Sequence, residues 1–377
     1  MSDRAGGGGA PGSGRTFDRL RDLPLRVDGY RLEALGMEIG GGMTRLTTLI
    51  WLQGAGEEGV GEDVCYDPAD HLALNQAGPV LPLAGAFTLG SFSRHLDGLP
   101  LFPAPPAYPF HVQYRRWAFE SAALDLALRQ AGRSLADALG IVPRPVTFVA
   151  SMRLDDPPTA DRVHRWLARD PTLRFKLDPA SSWGVELVRE LAGTGAVVTV
   201  DLKGAYTGTP VDGPADPELY ARVVEALPEA WIEDPRLTPE TRAALAGHED
   251  RITWDAPIHS VADIRALGHK PRMINVKPSR FGRLEELLDA YDHLRDEGIG
   301  AYGGGQTELG PGRGQIQYLA SLFHPDAPND VAPRGYNERV PPRELPSSPL
   351  APEPCASGFR WGGHTAAREA AQLRAEP

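Results

Sequence analysis

The sequence predicts an α/β protein built around a barrel of the (β/α)8 type. From about residue 145 onward, eight short apolar runs occur, and a stretch with helical periodicity separates each run from the next. The runs are continuously apolar, which is typical of parallel strands buried on both faces. Eight such units favour a closed barrel. An open doubly wound sheet is the alternative, but no Gly-rich dinucleotide-binding motif follows the first run.

The predicted barrel elements can be read off in chain order. The strand-like runs are VTFVASM, TLRFKLD, AVVTVDL, AWIEDP, RITWDA, RMINVKP, GIGAYGGG and NDVAP. The helical stretches between them are TADRVHRWLAR, SWGVELVRELA, PELYARVVEAL, PETRAALAG, SVADIRAL, RLEELLDAYDHLRDEG and QIQYLASLF.

A different pattern precedes the barrel. YRLEALGMEI and TRLTTLIWLQG flank a Gly-rich turn, EEGVGEDVCY continues the same sheet, and a long helical pattern covers about 112–139. We therefore divide the chain into four parts, which are a disordered arm, a first domain with a linking helix, the barrel, and a C-terminal segment. We expect the GFRW motif of the last part to return to the first domain and its end to be disordered. The four parts are residues 1–21, 22–140, 141–335 and 336–377.

Composition and charge exclude several classes of function. The 377 residues are 41% hydrophobic, enough for a large core, and the net charge is -11 with no basic tract. Such a chain is a poor partner for nucleic acid or an anionic membrane. Cys65 and Cys355 are the only cysteines and lie far apart, which argues against a disulfide scaffold. No apolar run is long enough to span a membrane, and the Gly-rich N-terminus has no apolar segment, so we expect a cytoplasmic protein.

Three carboxylates end consecutive strands of the predicted barrel, where barrel active sites lie. They are Asp201, Glu233 and Asp255. Neighbouring strands are about 5 Å apart, so these groups would crowd together and raise one another's pKa values. A divalent cation would remove the repulsion. Three carboxylate oxygens with positions left for water and substrate suit Mg²⁺.

Two lysines flank the acidic strands. Lys176 lies on the run before them and Lys277 on the run after them. They would face each other across the metal, and a lysine near other cations has a depressed pKa and can act as a base. Each of these residues alone would more often be a helix cap, an ion-pair partner or a solvated side chain. Their order on five successive strand ends indicates abstraction of a proton α to a carboxylate, with the metal holding the enediolate oxygens.

The three carboxylates and two lysines at successive strand ends, together with the short sequence motifs around them, resemble the enolase superfamily. The resemblance is to its mandelate racemase and muconate lactonizing enzyme group, and is closest to the type with a lysine on the second and sixth barrel strands. It covers about residues 22–335. It implies a modified TIM barrel closed by an N-terminal α+β capping domain, Mg²⁺ on the three carboxylates, acid/base lysines, a small-molecule carboxylate substrate and a homo-oligomer. The motifs that carry it are GVGED, RFKLD, VDLKG, WIEDP, ITWDAP, INVKPSRFG and GGGQTELGPG.

The sequence departs from the pattern of this family at three positions. Arg174 replaces the first lysine of a Lys-x-Lys pair, and it would keep the charge that lowers the pKa of Lys176. Lys203 replaces an asparagine, and either pairs with an acidic substrate group or, as we prefer, offsets Asp234. Ala256 replaces a glutamate after the third carboxylate. The substrate therefore cannot be transferred by analogy.

Substrate specificity is expected from the capping domain and the seventh strand. The Gly-rich turn 36–45 would form a lid loop, and 65–76 a second lid segment. Residues after the seventh strand would orient the distal group of the substrate. These are Gln306, Thr307 and Glu308.

Several reactions are compatible with two opposed bases. They are β-elimination by a dehydratase of the o-succinylbenzoate synthase type, cycloisomerization, and racemization or epimerization. We favour elimination or cycloisomerization slightly. A metal-independent barrel hydrolase with paired carboxylates would leave both lysines without a role. A catalytically silent relative is the third hypothesis.

Overall fold

The N-terminal part of the chain is an antiparallel sheet covered by helices. The computed structural model describes residues 14–38, 44–209, 211–338 and 342–362. Strands β2, β3 and β4 form a meander in the order β2-β3-β4, and β1 pairs with β5. The strands are β1 (Pro24–Val27), β2 (Gly29–Glu38), β3 (Thr44–Gly54), β4 (Glu57–Asp63) and β5 (Gly85–Thr88). The helices are α1 (Pro68–Ala77), α2 (Leu89–Asp97), α3 (His111–Gln130) and α4 (Leu135–Leu139).

The long helix α3 packs directly on β4, and glycine makes this possible. A Cβ atom at Gly61 would lie 1.9 Å from the carbonyl oxygen of Ala118. At Gly59 it would lie 2.3 Å from the backbone of the same helix. The two glycines of the GVG part of the GVGED motif therefore allow α3 to pack closely against the sheet.

The rest of the chain is a parallel barrel with outer helices. Strands β6 to β10 form one sheet in the order β10-β9-β8-β7-β6, and β11 pairs with β12. The strands are β6 (Ala150–Met152), β7 (Phe175–Leu177), β8 (Val197–Asp201), β9 (Trp231–Glu233), β10 (Ile252–Thr253), β11 (Met273–Val276) and β12 (Gly300–Gly303). The helices are α5 (Asp161–Arg169), α6 (Val185–Gly193), α7 (Pro217–Ala226), α8 (Pro239–Ala244), α9 (Val261–Ala266), α10 (Pro278–Phe281), α11 (Leu284–Glu297) and α12 (Pro311–Phe323).

Backbone hydrogen bonds close the barrel. The Asn275 N–H donates to the Trp254 carbonyl at 3.0 Å and joins β10 to β11. The eighth predicted run forms isolated bridges instead of a regular strand. Asp330 N–H donates to Gly303 at 2.8 Å, and Val149 N–H donates to Asn329 at 2.9 Å. The predicted α/β barrel with an N-terminal capping domain is thus confirmed.

The structure corrects two local expectations. Residues from Thr16 to Leu20, assigned to a disordered arm, are ordered, because Thr16 Oγ1 donates to Asp292 of α11 at 2.6 Å and Leu20 is fully buried. Helices α1 and α2 lie before the long helical pattern, where no helix was predicted. Helix α1, capped by the Asp67 side chain, forms most of the expected second lid segment, whose role as a lid stays a prediction. Residues 39–43 of the expected lid loop lie outside the described residues.

The C-terminal segment returns to the capping domain, as the GFRW motif predicted. The Asp125 carboxylate on α3 accepts hydrogen bonds from Phe359 N–H at 2.8 Å and from Arg360 Nε at 2.7 Å. Residues 363–377 lie outside the described part of the chain. Among the helices that the structure describes, none combines the length and apolar character that a membrane crossing requires.

Candidate active site

The predicted carboxylates lie side by side at the carboxyl edge of the barrel. Asp201 ends β8 and Glu233 ends β9, and the two residues are partners in the parallel register. Asp255 follows β10, and all three side chains are fully buried. One oxygen each from Asp201, Glu233 and Asp234 falls within a mutual distance of 4.8 Å. The group with this spacing therefore includes Asp234 and not the predicted Asp255.

Asp234 holds the neighbouring strand end in place. Its Oδ1 accepts the Asp255 N–H at 2.9 Å, and its Oδ2 accepts the Ala256 N–H at 2.9 Å. Its own backbone is left-handed, with φ 48°. Because both oxygens are used in this way, Asp234 orients the turn that carries Asp255.

The two predicted lysines contact opposite ends of the carboxylate row. Lys176 Nζ lies 2.5 Å from Glu233 Oε1 and 3.1 Å from Asp201 Oδ2. Lys277 Nζ lies 2.8 Å from Asp255 Oδ2. Both ammonium groups are almost completely buried. The row of acids therefore lies between two lysines.

The structure contradicts one part of the expected electrostatics of Lys176, the charge that Arg174 was to provide. Burial favours the neutral amine, but the carboxylates of Asp201 and Glu233 outweigh it and hold the pKa of Lys176 well above its ordinary value. Arg174 does not supply the predicted neighbouring charge. Its side chain is exposed and donates to the carbonyl oxygens of Thr172 and Leu173 at 2.8 and 3.0 Å.

Lys203 pairs with a different carboxylate from the one expected. Its ammonium contacts Asp201 Oδ2 and lies 3.8 Å from Asp178 Oδ1. The preferred interpretation, that it offsets Asp234, is therefore wrong. Lys203 is part of the carboxylate cluster itself.

Arg280 and Tyr206 complete the site and were missed in the sequence. Arg280 Nε lies 3.1 Å from Asp255 Oδ1, and its Nη2 donates to Tyr206 OH at 2.9 Å. Tyr206 OH donates to Asp255 Oδ2 at 2.7 Å. Arg280 lies on the short helix α10, three residues after Lys277. Its closeness in the chain to a candidate base was the only feature of the sequence that indicated a place in the site.

Three further residues of the site were also missed. Tyr302 on β12 donates its hydroxyl to Glu233 Oε2. Asp330 lies 3.5 Å from Lys176 Nζ, and Asp178 lies next to Lys203. Asp178 is the last residue of the predicted run TLRFKLD, so its position at a strand end was the available signal. Asp330 lies at the start of the run NDVAP, where strand ends give no signal.

The residues after the seventh strand are held by the capping domain. Gln306 Oε1 accepts from Tyr66 OH at 2.5 Å, and Gln306 Nε2 donates to Tyr114 OH at 2.9 Å. Glu308 Oε1 accepts the Gln306 N–H at 2.7 Å. Thr307 has a left-handed backbone with φ 58°. These contacts join the loop to the cap, and their role in substrate binding stays a prediction.

The charges and the raised carboxylate pKa values of the cluster are compatible with a bound cation. Among the described residues in mutual contact there are six carboxylates and five cations, so one negative charge is left unbalanced. Burial and the carboxylates of Asp255 and Asp201 raise the pKa of Asp234 to about 7, and burial with Asp201 raises that of Glu233 well above its ordinary value. Oxygen donors with excess negative charge are what a hard divalent cation requires. The carboxylates are Asp178, Asp201, Glu233, Asp234, Asp255 and Asp330, and the cations are Arg153, Lys176, Lys203, Lys277 and Arg280.

Two family models match most of the chain. The model described as the C-terminal domain of the domain of unknown function DUF8230 matches residues 142–338. The model of the N-terminal domain of DUF8230 matches residues 18–138.

Curated relatives are enzymes. An N-succinylamino acid racemase of Amycolatopsis sp is 30% identical over 223 residues, which are 57% of this chain and 59% of the relative. An o-succinylbenzoate synthase of Geobacillus stearothermophilus is 27% identical over 57% of this chain and 58% of the relative. In these two alignments the chain spans less than two thirds of the relative's length. An N-succinylamino acid racemase of Thermus thermophilus is 27% identical over 83% of this chain and 84% of the relative.

Solved structures show the same fold. A muconate cycloisomerase from Pseudomonas fluorescens superposes with a TM-score of 0.63 and 17% identity, over 94% of this chain and 100% of that chain. A dipeptide epimerase from Methylococcus capsulatus, complexed with Mg ion, gives a TM-score of 0.61 and 18% identity, over 81% of this chain and 89% of that chain. At these identities the likeness concerns the fold.

Proposed function

We propose that this chain, which belongs to the family that the DUF8230 domains define, is a Mg²⁺-dependent enzyme that removes the α-proton of a carboxylate substrate. Its relatives and its fold support membership of the enolase superfamily. The observation that carries this proposal is the position of Lys176 and Lys277. They contact opposite ends of a buried row of carboxylates that has excess negative charge.

The row of acids is the proposed metal site. Asp201, Glu233 and Asp255 would hold the cation. Asp234 has the metal-ligand spacing with Asp201 and Glu233, but both of its oxygens accept backbone N–H groups of the turn that carries Asp255, so we assign it to orienting that turn. When bound, Mg²⁺ would supply positive charge that stabilises the negative charge formed on the substrate carboxylate. The cluster accommodates this charge because its acids outnumber its cations.

The lysines would move the proton. A lysine can act as the base only in its neutral form, and for Lys176 this form requires that the charges of Asp201 and Glu233 be neutralised, as a bound cation would do. The neutral amine would accept the α-proton at Nζ as the C–H bond breaks, and the electron pair of that bond would form the enediolate of the substrate carboxylate. In racemization or epimerization, the second lysine returns a proton to the opposite face of the same carbon. In β-elimination, the electron pair forms a C=C bond as the bond to the leaving group breaks, and a protonated lysine gives the leaving hydroxide its proton, so that water departs. In cycloisomerization, the leaving group is a carboxylate of the same molecule, so that the ring C–O bond breaks as the C=C bond forms, and the reverse reaction closes the ring.

The names of two relatives suggest the first compounds to test. They are an N-succinylamino acid racemase and an o-succinylbenzoate synthase. We therefore propose N-succinylamino acids and the precursor of o-succinylbenzoate as the first candidate substrates. We also propose that the protein is a cytoplasmic homo-oligomer, as the family resemblance implies. We further propose that it binds neither nucleic acid nor membrane, which the net charge of -11 and the lack of a basic tract support.

Proton exchange in D₂O tests the proposal. The protein is incubated with Mg²⁺ and pooled N-succinylamino acids, dipeptides, muconolactones and the o-succinylbenzoate precursor, and mass spectrometry follows deuterium at the α-carbon and loss of water. We expect incorporation or elimination that is lost on chelation and falls at least about 1000-fold in Lys277→Ala, because the base is removed.

Two results would contradict the proposal. Turnover that survives chelation would favour the metal-independent hydrolase. The absence of both exchange and Mg²⁺ binding would favour the catalytically silent relative.

A further inference from the structure

Lys203 is fixed in the carboxylate cluster by its own backbone. Its N–H donates to Asp201 Oδ1 at 3.1 Å, and its carbonyl oxygen accepts from Gly213 N–H at 3.0 Å and Tyr206 N–H at 3.2 Å. Its φ of 54° is in the left-handed region that non-glycine residues seldom adopt. The side chain therefore starts from a defined point directly after β8.

The ammonium group of Lys203 forms an ion pair with Asp201, the carboxylate at the end of β8. Nζ contacts Asp201 Oδ2, while the backbone N–H takes Oδ1, so this one residue engages both oxygens of Asp201. Asp201 is fully buried, and the side chain of Lys203 is 19% exposed. A charged contact with a buried partner is screened much less by solvent than a surface ion pair.

Lys176 contacts the same carboxylate oxygen of Asp201 as Lys203. Its Nζ lies 3.1 Å from the same Oδ2 atom. Two ammonium groups therefore share one carboxylate oxygen that the proposed metal site also needs. Lys176 has Glu233 and Asp330 as further partners, and Lys203 has Asp178 at 3.8 Å.

We propose that Lys203 is an internal counter-ion that competes with the divalent cation for Asp201 and lowers the resting affinity of the site for Mg²⁺. This inference rests on the proposed function, because it concerns the same metal site. Binding of the cation requires Lys203 to give up its contact with Oδ2 and to turn toward Asp178. The positive charge that remains nearby opposes the incoming cation.

Isothermal titration calorimetry with MgCl₂ alone tests this competition. Lys203→Asn removes the charge and suits the left-handed backbone, because asparagine adopts that region more readily than most residues. Lys203→Gln keeps more of the side-chain length and provides a second variant if the first does not fold. Lys270→Asn is the matched control, since it removes the same charge from an exposed lysine that pairs with Glu297 at 3.5 Å.

We expect both Lys203 variants to bind Mg²⁺ about tenfold or more tightly than the wild type, and Lys270→Asn to stay within about twofold. Unchanged or weaker binding in the two Lys203 variants would overturn the inference while leaving the proposed metal site intact. If no protein of the set binds Mg²⁺ at millimolar concentration, the metal site of the proposed function and this inference both fail. Circular dichroism of each variant confirms that the comparison is between folded proteins.

Discussion

At the scale of single residues, the candidate site depends on groups that hold the carboxylates in fixed orientations. Asp255 is the most heavily contacted of these acids, because Lys277, Arg280 and Tyr206 all reach it. Tyr302 donates its hydroxyl hydrogen bond to Glu233. These contacts restrict each carboxylate to one orientation before a ligand arrives, which is the condition for strong electrostatic stabilisation.

The hydroxyl of Tyr206 provides a test at this scale. Tyr206→Phe removes the 2.7 Å hydrogen bond to Asp255 and the one accepted from Arg280 at 2.9 Å. We expect kcat/KM for α-proton exchange to fall about tenfold, since a hydrogen bond to a charged group contributes about 1.5 kcal/mol or more. Steady-state kinetics measure the change. Tyr108→Phe, which keeps the ring stacked on Phe110, is the control, and an equal loss in both variants would contradict the positioning role.

At the scale of elements, the capping domain holds the loop that follows the seventh strand from two directions. Arg45 of β3 donates to the carbonyl oxygen of Gln306 at 2.9 Å. Glu62 of β4 accepts backbone N–H groups from Leu309 at 2.6 Å and from Gly312 at 3.0 Å. Glu62 therefore places a carboxylate at the N-terminus of α12, where the helix has free donors. The cap and barrel are thus coupled at the loop that carries the predicted specificity residues.

Removal of the Glu62 carboxylate tests this coupling. Glu62→Ala leaves buried N–H groups at Leu309, Gly310 and Gly312 without an acceptor. We expect a loss of about 2–4 kcal/mol in the free energy of unfolding. Urea denaturation measures this loss, and Glu186→Ala on an exposed side chain should stay within about 0.5 kcal/mol. A loss below about 1 kcal/mol for Glu62→Ala would show that the contact contributes little.

At the scale of the whole molecule, a buried histidine at the point where the barrel closes makes the stability of the fold depend on pH. His324 lies beyond α12, where its Nδ1 is 2.6 Å from Asn329 Oδ1 and its Nε2 is 3.0 Å from Tyr291 OH. Asn329 is one of the residues through which the eighth run closes the barrel. Burial lowers the pKa of His324 to about 4. The folded protein therefore keeps this imidazole neutral under mildly acidic conditions.

Stability should fall as the pH decreases from about 6.5 to about 4. In this range the unfolded chain takes up a proton on His324 that the folded chain does not, so protonation favours unfolding. The contribution of His324 is on the order of 1–3 kcal/mol across the window. Urea denaturation between pH 8 and pH 4 measures it. His324→Gln cannot titrate and should show a smaller loss. An unchanged pH dependence in His324→Gln would contradict the assignment.

The sequence by itself determined the type and order of the barrel elements. Strand and helix runs are local patterns of hydrophobicity, and the barrel edge follows from the parallel arrangement of these strands. Asp201, Glu233 and Asp255 end successive strands, and that is why their proximity was predictable. Lys176 and Lys277 could be placed on either side of them for the same reason.

Only the tertiary structure decided which groups meet at this edge. Strand alternation would place Arg174 on the same face as Lys176, but Arg174 precedes β7, and its side chain donates to carbonyl oxygens of its own loop. Lys203 contacts Asp201 and Asp178 instead of Asp234, from a left-handed backbone conformation that the sequence did not predict. Arg280 reaches the site from the short helix α10, which is too brief to show a periodic pattern. Contacts between loops depend on side-chain geometry across distant parts of the chain, and this information is absent from any local window of sequence.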